Sequence, residues 1–254
     1  MISRILSAEL KKRLRLNLFI SILVPLFVLL IVGIGFAGNA IGDDIEQTWE
    51  TLLLQLNMAL LFFYPLGVTL ICSHLANIEH QANSWKILLA LPVKKEYTYY
   101  GKLIIAIGYS LITAFLLYVG VSFLGVSLGL SDNQETPWLL IFKQVFYPII
   151  AAFSIISFQL CLSIFIRNQA FPIMIGVITS IFTYSLLIFP LTISEWLIWT
   201  YPTMASPLKP IFADGGFDGV EVTSHTEWYI LLSLLVGAIL SYLSAKRFSN
   251  QDVN

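Results

Sequence analysis

Charge is what this chain has least of: Asp, Glu, Lys and Arg make up 11% of its 254 residues, against about 25% in an ordinary soluble domain. With 57% of the residues hydrophobic, too little polar surface remains to coat a water-soluble globule. Cysteine is nearly absent as well. Cys72 and Cys161 cannot staple a secreted fold, and both fall near apolar-run ends expected to face the cytosol, so they read as reduced, packed thiols. The net charge of −1 offers no field for nucleic acid, and the informative quantity is where each sign falls along the chain.

Other absences narrow the chemistry. A GxxxxGK[ST] phosphate loop is missing, since Gly101-Lys102 has neither the upstream glycine nor a following Ser or Thr, so no ATP hydrolysis and no cofactor are expected in this chain. His74, His80 and His225 lack metal-ligand spacing, and no metal is expected. The apolar runs lack the intramembrane carboxylates and basic groups that mark ion-coupled carriers; their main polar content is Gln55, Asn57 and Gln159 plus hydroxyls. The alternating pattern of a membrane barrel is missing too, which leaves helices as the only way to satisfy the backbone in lipid.

What is present is a series of apolar runs near the 20 residues that cross about 30 Å of hydrocarbon: 18–37, 51–73, 103–125, 139–166, 171–190 and 227–245. The expected fold is therefore an all-α integral membrane protein with six transmembrane helices. Arg4, Lys11, Lys12, Arg13 and Arg15 precede the first run; Lys86, Lys94, Lys95 and Lys102 follow the second; Arg167 follows the fourth; Lys246 and Arg247 follow the sixth. Alternation puts all of these on one side and leaves Lys143 and Lys209 opposite, which makes that side the cytosol and places both termini there. Acidic residues such as Asp43, Asp44, Glu135, Asp214 and Asp218 fall on the outer side in agreement, while Trp138, Trp199 and Trp228 sit near run ends at headgroup depth. The basic start and the run ending Ala37-Gly38-Asn39-Ala40 imitate a secretory signal, but the run exceeds the typical signal core of about 7–15 residues, so it is expected to stay as a span.

Three segments between the runs carry patterns of their own. Within residues 1–16, Ile2, Leu6, Leu10 and Leu14 recur every four positions against Arg4, Lys11, Lys12 and Arg15, which predicts a basic amphipathic helix on the inner leaflet; a frayed cytosolic tail is the bland alternative. In the connection 74–102, Leu75, Ile78, Ala82, Trp85 and Leu89 share one helical face, with Leu88 at its flank, until Pro92 stops the pattern. That predicts a short cytosolic helix over 75–92 whose apolar patch needs a partner. The extracellular connection 191–226 begins with aromatics that suit a re-entrant or interfacial helix and continues, through Pro207, Pro210, Gly215, Gly216 and Gly219, as an irregular acidic loop; a passive connector is the simpler expectation.

Two motifs tempt and are declined. Gly33-Ile34-Gly35-Phe36-Ala37-Gly38 matches GxGxxG but ends an apolar helix instead of opening one after a strand, so close helix packing is the better reading. Gly125-Val126-Ser127-Leu128-Gly129 matches GxSxG, and Asp214 or Asp218 with His225 could complete a triad, yet no sheet exists to build the required elbow. No catalytic residue is expected.

The stretch from Glu79 to Lys102, with its acidic residue, Asn83-Ser84-Trp85-Lys86-Ile87-Leu88-Leu89-Ala90-Leu91-Pro92-Val93, basic and Tyr residues and Gly101-Lys102, resembles the first cytosolic connection of ABC-type exporter permeases of the small peptide-antibiotic class, the lantibiotic-immunity and bacitracin-resistance branch. The resemblance extends loosely over the whole chain, and the lack of a large extracellular domain separates it from the branch with a big sensor domain. It implies that 75–92 is a coupling helix docking on ABC ATPase subunits through Glu79, Trp85, Leu88, Leu89 and Pro92. It also implies a second permease chain, identical or not, ATP and Mg in the ATPase partner, a bacterial plasma membrane, and an amphipathic peptide as substrate. Lipid or drug export, or a non-transporting membrane scaffold, are the rival readings, with a membrane hydrolase acting through Ser127 behind them.

Overall fold

In the computed structural model, residues 15–38, 47–81, 95–133, 135–188, 197–213, 216–223 and 226–250 are described. They form α1 (Arg15–Ala37), α2 (Trp49–Gln81), α3 (Lys95–Ser127), the single turn α4 (Leu130–Asn133), α5 (Trp138–Ala151), α6 (Phe153–Phe165), α7 (Ala170–Ile188), the single turn α8 (Tyr201–Met204), the strands β1 (Leu208–Ala213) and β2 (Gly216–Val222), and α9 (Glu227–Ser249). Five helical segments among them are long and apolar enough to cross a bilayer: α1, α2, α3, α5 with α6, and α9. The apolar part of α7, Ala170–Ser185, is shorter. The interfacial helix expected over 1–16 lies almost wholly outside the described residues.

α2 is the centre of the bundle. It packs on α1, α3, α6 and α7, while α9 closes the far side against α5, α6 and α3. Its Leu52, Leu53, Leu56, Cys72, Leu75 and Ala76 are almost fully buried. Small residues let the helices approach: a Cβ on Gly125 would collide with the Trp49 ring, and one on Gly176 with Thr69. The GxGxxG match at Gly33 is likewise a packing site, where an added Cβ would come within 3.3 Å of Leu124. Large apolar side chains such as Phe19, Leu26, Phe115, Phe123 and Leu235 point away from the bundle, as lipid-facing positions do.

Three local features depart from the sequence expectations. First, no break separates the second span from the helix that follows: α2 runs unbroken to Gln81, so 75–81 continues the span. Residues 74–81 contain no Gly or Pro to stop it, and Leu75, Ala76 and Glu79 face inward. Leu75 is thus core rather than part of an outward patch. At about 1.5 Å per residue, the 33 residues of α2, like the 33 of α3, reach about 50 Å, well past the hydrocarbon layer.

Second, the fourth run breaks at Ala152, whose φ of −83° and ψ of 3° leave the helical region. Pro148, one turn earlier, leaves the Gln144 carbonyl without its intrahelical donor. The Ser233 hydroxyl of α9 enters the gap: it donates to the Ala151 carbonyl at 2.5 Å and accepts the Ser154 N–H at 3.1 Å. Ser233, Gly237, Ser241 and Ala245 recur every four residues on α9, and Ser241 reaches Ser157 at 2.9 Å along the same seam.

Third, the connection 191–226 holds an antiparallel β-hairpin where an irregular loop was expected. β1 and β2 pair Leu208 with Val222, Lys209 with Glu221 and Pro210 with Val220, with a bulge between Ile211 and Phe212. Only the short run Val220-Glu221-Val222 alternates with period 2, too brief beside Gly215, Gly216 and Gly219 to mark a strand, and Pro210 is tolerated because a two-stranded sheet has only edge strands. A polar node seats the hairpin on the bundle. Gln144 of α5 donates to the Leu53 carbonyl of α2 at 3.3 Å and accepts from Ser206 at 3.0 Å, and the Ser206 oxygen in turn accepts the Leu208 N–H at 3.3 Å.

Because one hydroxyl serves two backbone groups at the helix break, Ser233→Ala should lower stability by about 1–2 kcal/mol, the upper end for interhelical hydrogen bonds in bilayers. Leu235→Ala, on the exposed side of the same helix, should change it by less than about 0.5 kcal/mol. Thermal unfolding of the purified protein in detergent compares the two; equal losses would contradict the role given to Ser233.

Candidate functional site

Of the residues expected to dock a partner, Trp85, Leu88, Leu89 and Pro92 lie outside the described residues. Glu79 is placed, and its setting is not that of a surface contact. It sits in the last turns of α2, 1% exposed, with Oε1 3.2 Å from the Nζ of Lys102 on α3, itself 1% exposed. Lys102 also donates to the Leu75 carbonyl at 3.0 Å, one turn back along α2. Lys102 read in the sequence as one of the cytosolic charges; the fold turns it inward because α3 starts at Lys95, two turns before the apolar run.

Around this pair the same end of α2 collects several further polar contacts to its neighbours. His74 Nδ1 lies 2.7 Å from Asn17 Oδ1 of α1, and His80 Nε2 lies 3.1 Å from the Ser163 carbonyl of α6. Ser73 donates to Gln169 Oε1 at 3.0 Å, and the Gln169 amide in turn donates to the carbonyls of Ser163 and Ile166, holding the turn between α6 and α7. One helix end is thereby tied to α1, α3, α6 and the α6–α7 turn. In the sequence His74 and His80 stand out only for lacking metal-ligand spacing; only their positions along an α2 extended to Gln81 could have joined them to one hub.

At the opposite end of the bundle, α1, α2 and α7 enclose a groove of about 510 Å³, within the range of ligand sites. Its walls are Ile31, Val32 and Gly35 of α1, Met58, Phe62 and Phe63 of α2, and Tyr184 of α7, with Gln55 as a further polar side chain. Phe63 meets Phe27 and Phe62 edge-to-face at 5.1 Å, which stiffens that wall. The lining can solvate an apolar or aromatic body and offer an amide and a phenol to a polar edge. It holds no nucleophile–base pair.

Ser127 gains nothing from the fold as a nucleophile. Its hydroxyl donates to the Leu124 carbonyl of its own helix at 2.8 Å in an exposed turn, and Gly129 at a φ of 77° simply ends α3. Gly125 is where the Trp49 ring lands. Cys72 and Cys161 are both unpaired thiols.

Residues 5–185, more than half of the chain, match the family model described as ABC-2 family transporter protein. No curated protein and no solved structure matches the chain. A bundle of apolar helices of spanning length, a groove between three of them and a family match across the first three quarters of its described helices lead to one assignment: this chain is a membrane permease belonging to the ABC-2 family of transporter proteins.

Proposed function

We propose that the chain is the membrane-spanning subunit of an ATP-driven exporter, crossing a bacterial plasma membrane six times with both termini in the cytosol. ABC-2 permeases generally work with an ABC ATPase; here two ATPase chains would hold ATP and Mg and hydrolyse the nucleotide, and a second permease chain, identical or not, would complete the path. The six crossings take α7 as the fifth, on the strength of its apolar run and of the basic residues that then share one side with the connections 82–94 and 166–169.

The observation that carries this reading is the groove between α1, α2 and α7, the first, second and fifth crossings, combined with the family match. On the proposed topology the groove opens in the outer half of the bilayer. An amphipathic antimicrobial peptide suits it: the peptide's apolar face would lie on Ile31, Phe62 and Phe63, and its polar edge would meet Gln55 and Tyr184. Peptide immunity follows from the resemblance of the 79–102 stretch to lantibiotic-immunity permeases, and a lipid or drug is the alternative that the substrate test below separates.

Docking of the ATPase is assigned to the connection between α2 and α3, through Trp85, Leu88, Leu89 and Pro92. Trp85→Ala with Leu89→Asp should abolish co-purification of the ATPase while the permease still inserts in the membrane; undiminished capture of the ATPase would remove these residues from the docking surface.

The groove is tested separately. Ala59, which lines the groove on α2 between Met58 and Phe62, is the position to fill: Ala59→Trp should cut protection of cells against a lantibiotic panel by about tenfold, the effect of about 1.4 kcal/mol in substrate binding, with ATPase capture unchanged. Full protection by Ala59→Trp would move the path elsewhere, and a wild-type complex that protects against no peptide but exports a lipophilic dye would favour the drug reading.

A further inference from the structure

Of the charged residues described, Glu79 and Lys102 are the buried ones. They stand at opposite ends of the connection that leaves α2 after Gln81 and enters α3 at Lys95. Taking two charges out of water is costly, and a buried pair seldom stabilises a fold more than well-packed apolar residues would. A role in fixing geometry explains its position better than one in stability.

The geometry is that of a two-point attachment. Lys102 Nζ grips the Glu79 carboxylate at 3.2 Å and the Leu75 carbonyl at 3.0 Å, acceptors one helical turn, about 6 Å, apart along α2. One contact resists separation of α2 from α3; two at different heights also resist sliding. Links from the same end of α2 to its other neighbours are of a different grade. α1 is held by His74 on the Asn17 amide oxygen and α6 by His80 on the Ser163 carbonyl, acceptors that carry no formal charge, whereas the Glu79–Lys102 bond joins opposite charges in a low-dielectric site.

We propose that Glu79 and Lys102 form a clamp that makes α2 and α3 move as one rigid pair when the ATPase pushes on the connection between them. Packing alone does not hold the two together, because α2 lies against α3 much less extensively than against α1, α6 or α7. Glu79 is then a positioning residue of the coupling machinery and not a docking contact. This inference rests on the reading that an ATPase docks on that connection.

The test uses the permease–ATPase complex in liposomes, with nitroxide labels on Gln81→Cys and Ile104→Cys, both exposed, in a Cys72→Ala, Cys161→Ala background. In the otherwise wild-type complex the label separation should be one narrow distribution, the same without nucleotide and with ATP and vanadate trapped. Lys102→Met should keep the ATPase bound, yet broaden the distribution and make it shift on trapping. A Lys102→Met distribution as narrow and nucleotide-insensitive as wild type overturns the clamp, as does a wild-type separation that changes with nucleotide or a loss of ATPase from Lys102→Met. Where Lys102→Met fails to insert, Glu79→Gln is read by the same outcomes. A wild-type permease that captures no ATPase sinks the docking reading and the clamp's role with it; wild-type capture with unaltered Lys102→Met distances sinks the clamp alone.

Discussion

Inside a helical bundle surrounded by lipid no water competes for hydrogen bonds, so each inward polar group must find its partner within the protein. In this chain that constraint sorts the polar residues into a few nodes, and the nodes decide how the helices are joined. One node, around Glu79, Lys102, His74, His80 and Gln169, ties an end of α2 to α1, α3 and α6. Another, Gln144 with Ser206, seats the hairpin at the opposite end. Between them runs the serine and glycine seam of α9, whose Ser233 fills the gap in the broken fourth helix. Single bonds, Thr113 to the Ser21 carbonyl and Gln159 to the Pro172 carbonyl among them, join further helix pairs, and small residues such as Gly125 and Gly176 allow close approach.

α2 belongs to both the groove and the polar hub. Its residues from Gln55 to Phe63 line the groove, and those from Ser73 to His80 build the hub. From Phe63 to Glu79 is about 24 Å along a helix axis, so one rod connects the two. Pro65 interrupts the rod just below the groove, leaving the Leu61 carbonyl without its intrahelical donor, which makes this the point on α2 where bending costs least. Thr69 bonds back to the Pro65 carbonyl at 2.8 Å, a contact that also favours a bend. Displacement at the hub therefore has a route to the groove walls through an element with a stiff lower part and a softer joint.

The departures from the sequence expectations share a cause. A hydropathy scan ends a span where polar residues begin, and at His74 that rule stopped α2 too early, because His74, Glu79 and His80 are polar residues whose partners lie on other helices. The pairing of Glu79 with Lys102 joins positions 23 residues apart, beyond any periodicity. Proline and glycine mislead in the hairpin, where Pro210 and Gly219 mark an edge strand rather than disorder of pattern. At Ala152 an apolar run reads as continuous, and only the Ser233 hydroxyl arriving from α9 reveals the break.

The sequence by itself determined the solvent of this protein and the number and placement of its apolar runs, because those follow from composition and from the cost of placing charge in hydrocarbon. It also carried the stretch around Trp85 that resembles a docking element. Only the tertiary structure decided that α1, α2 and α7 share a groove, that Glu79 faces Lys102 instead of a surface, and that one serine repairs a helix on another element. Those are pairings between distant residues, and their energy exists only once the helices have been brought together out of water.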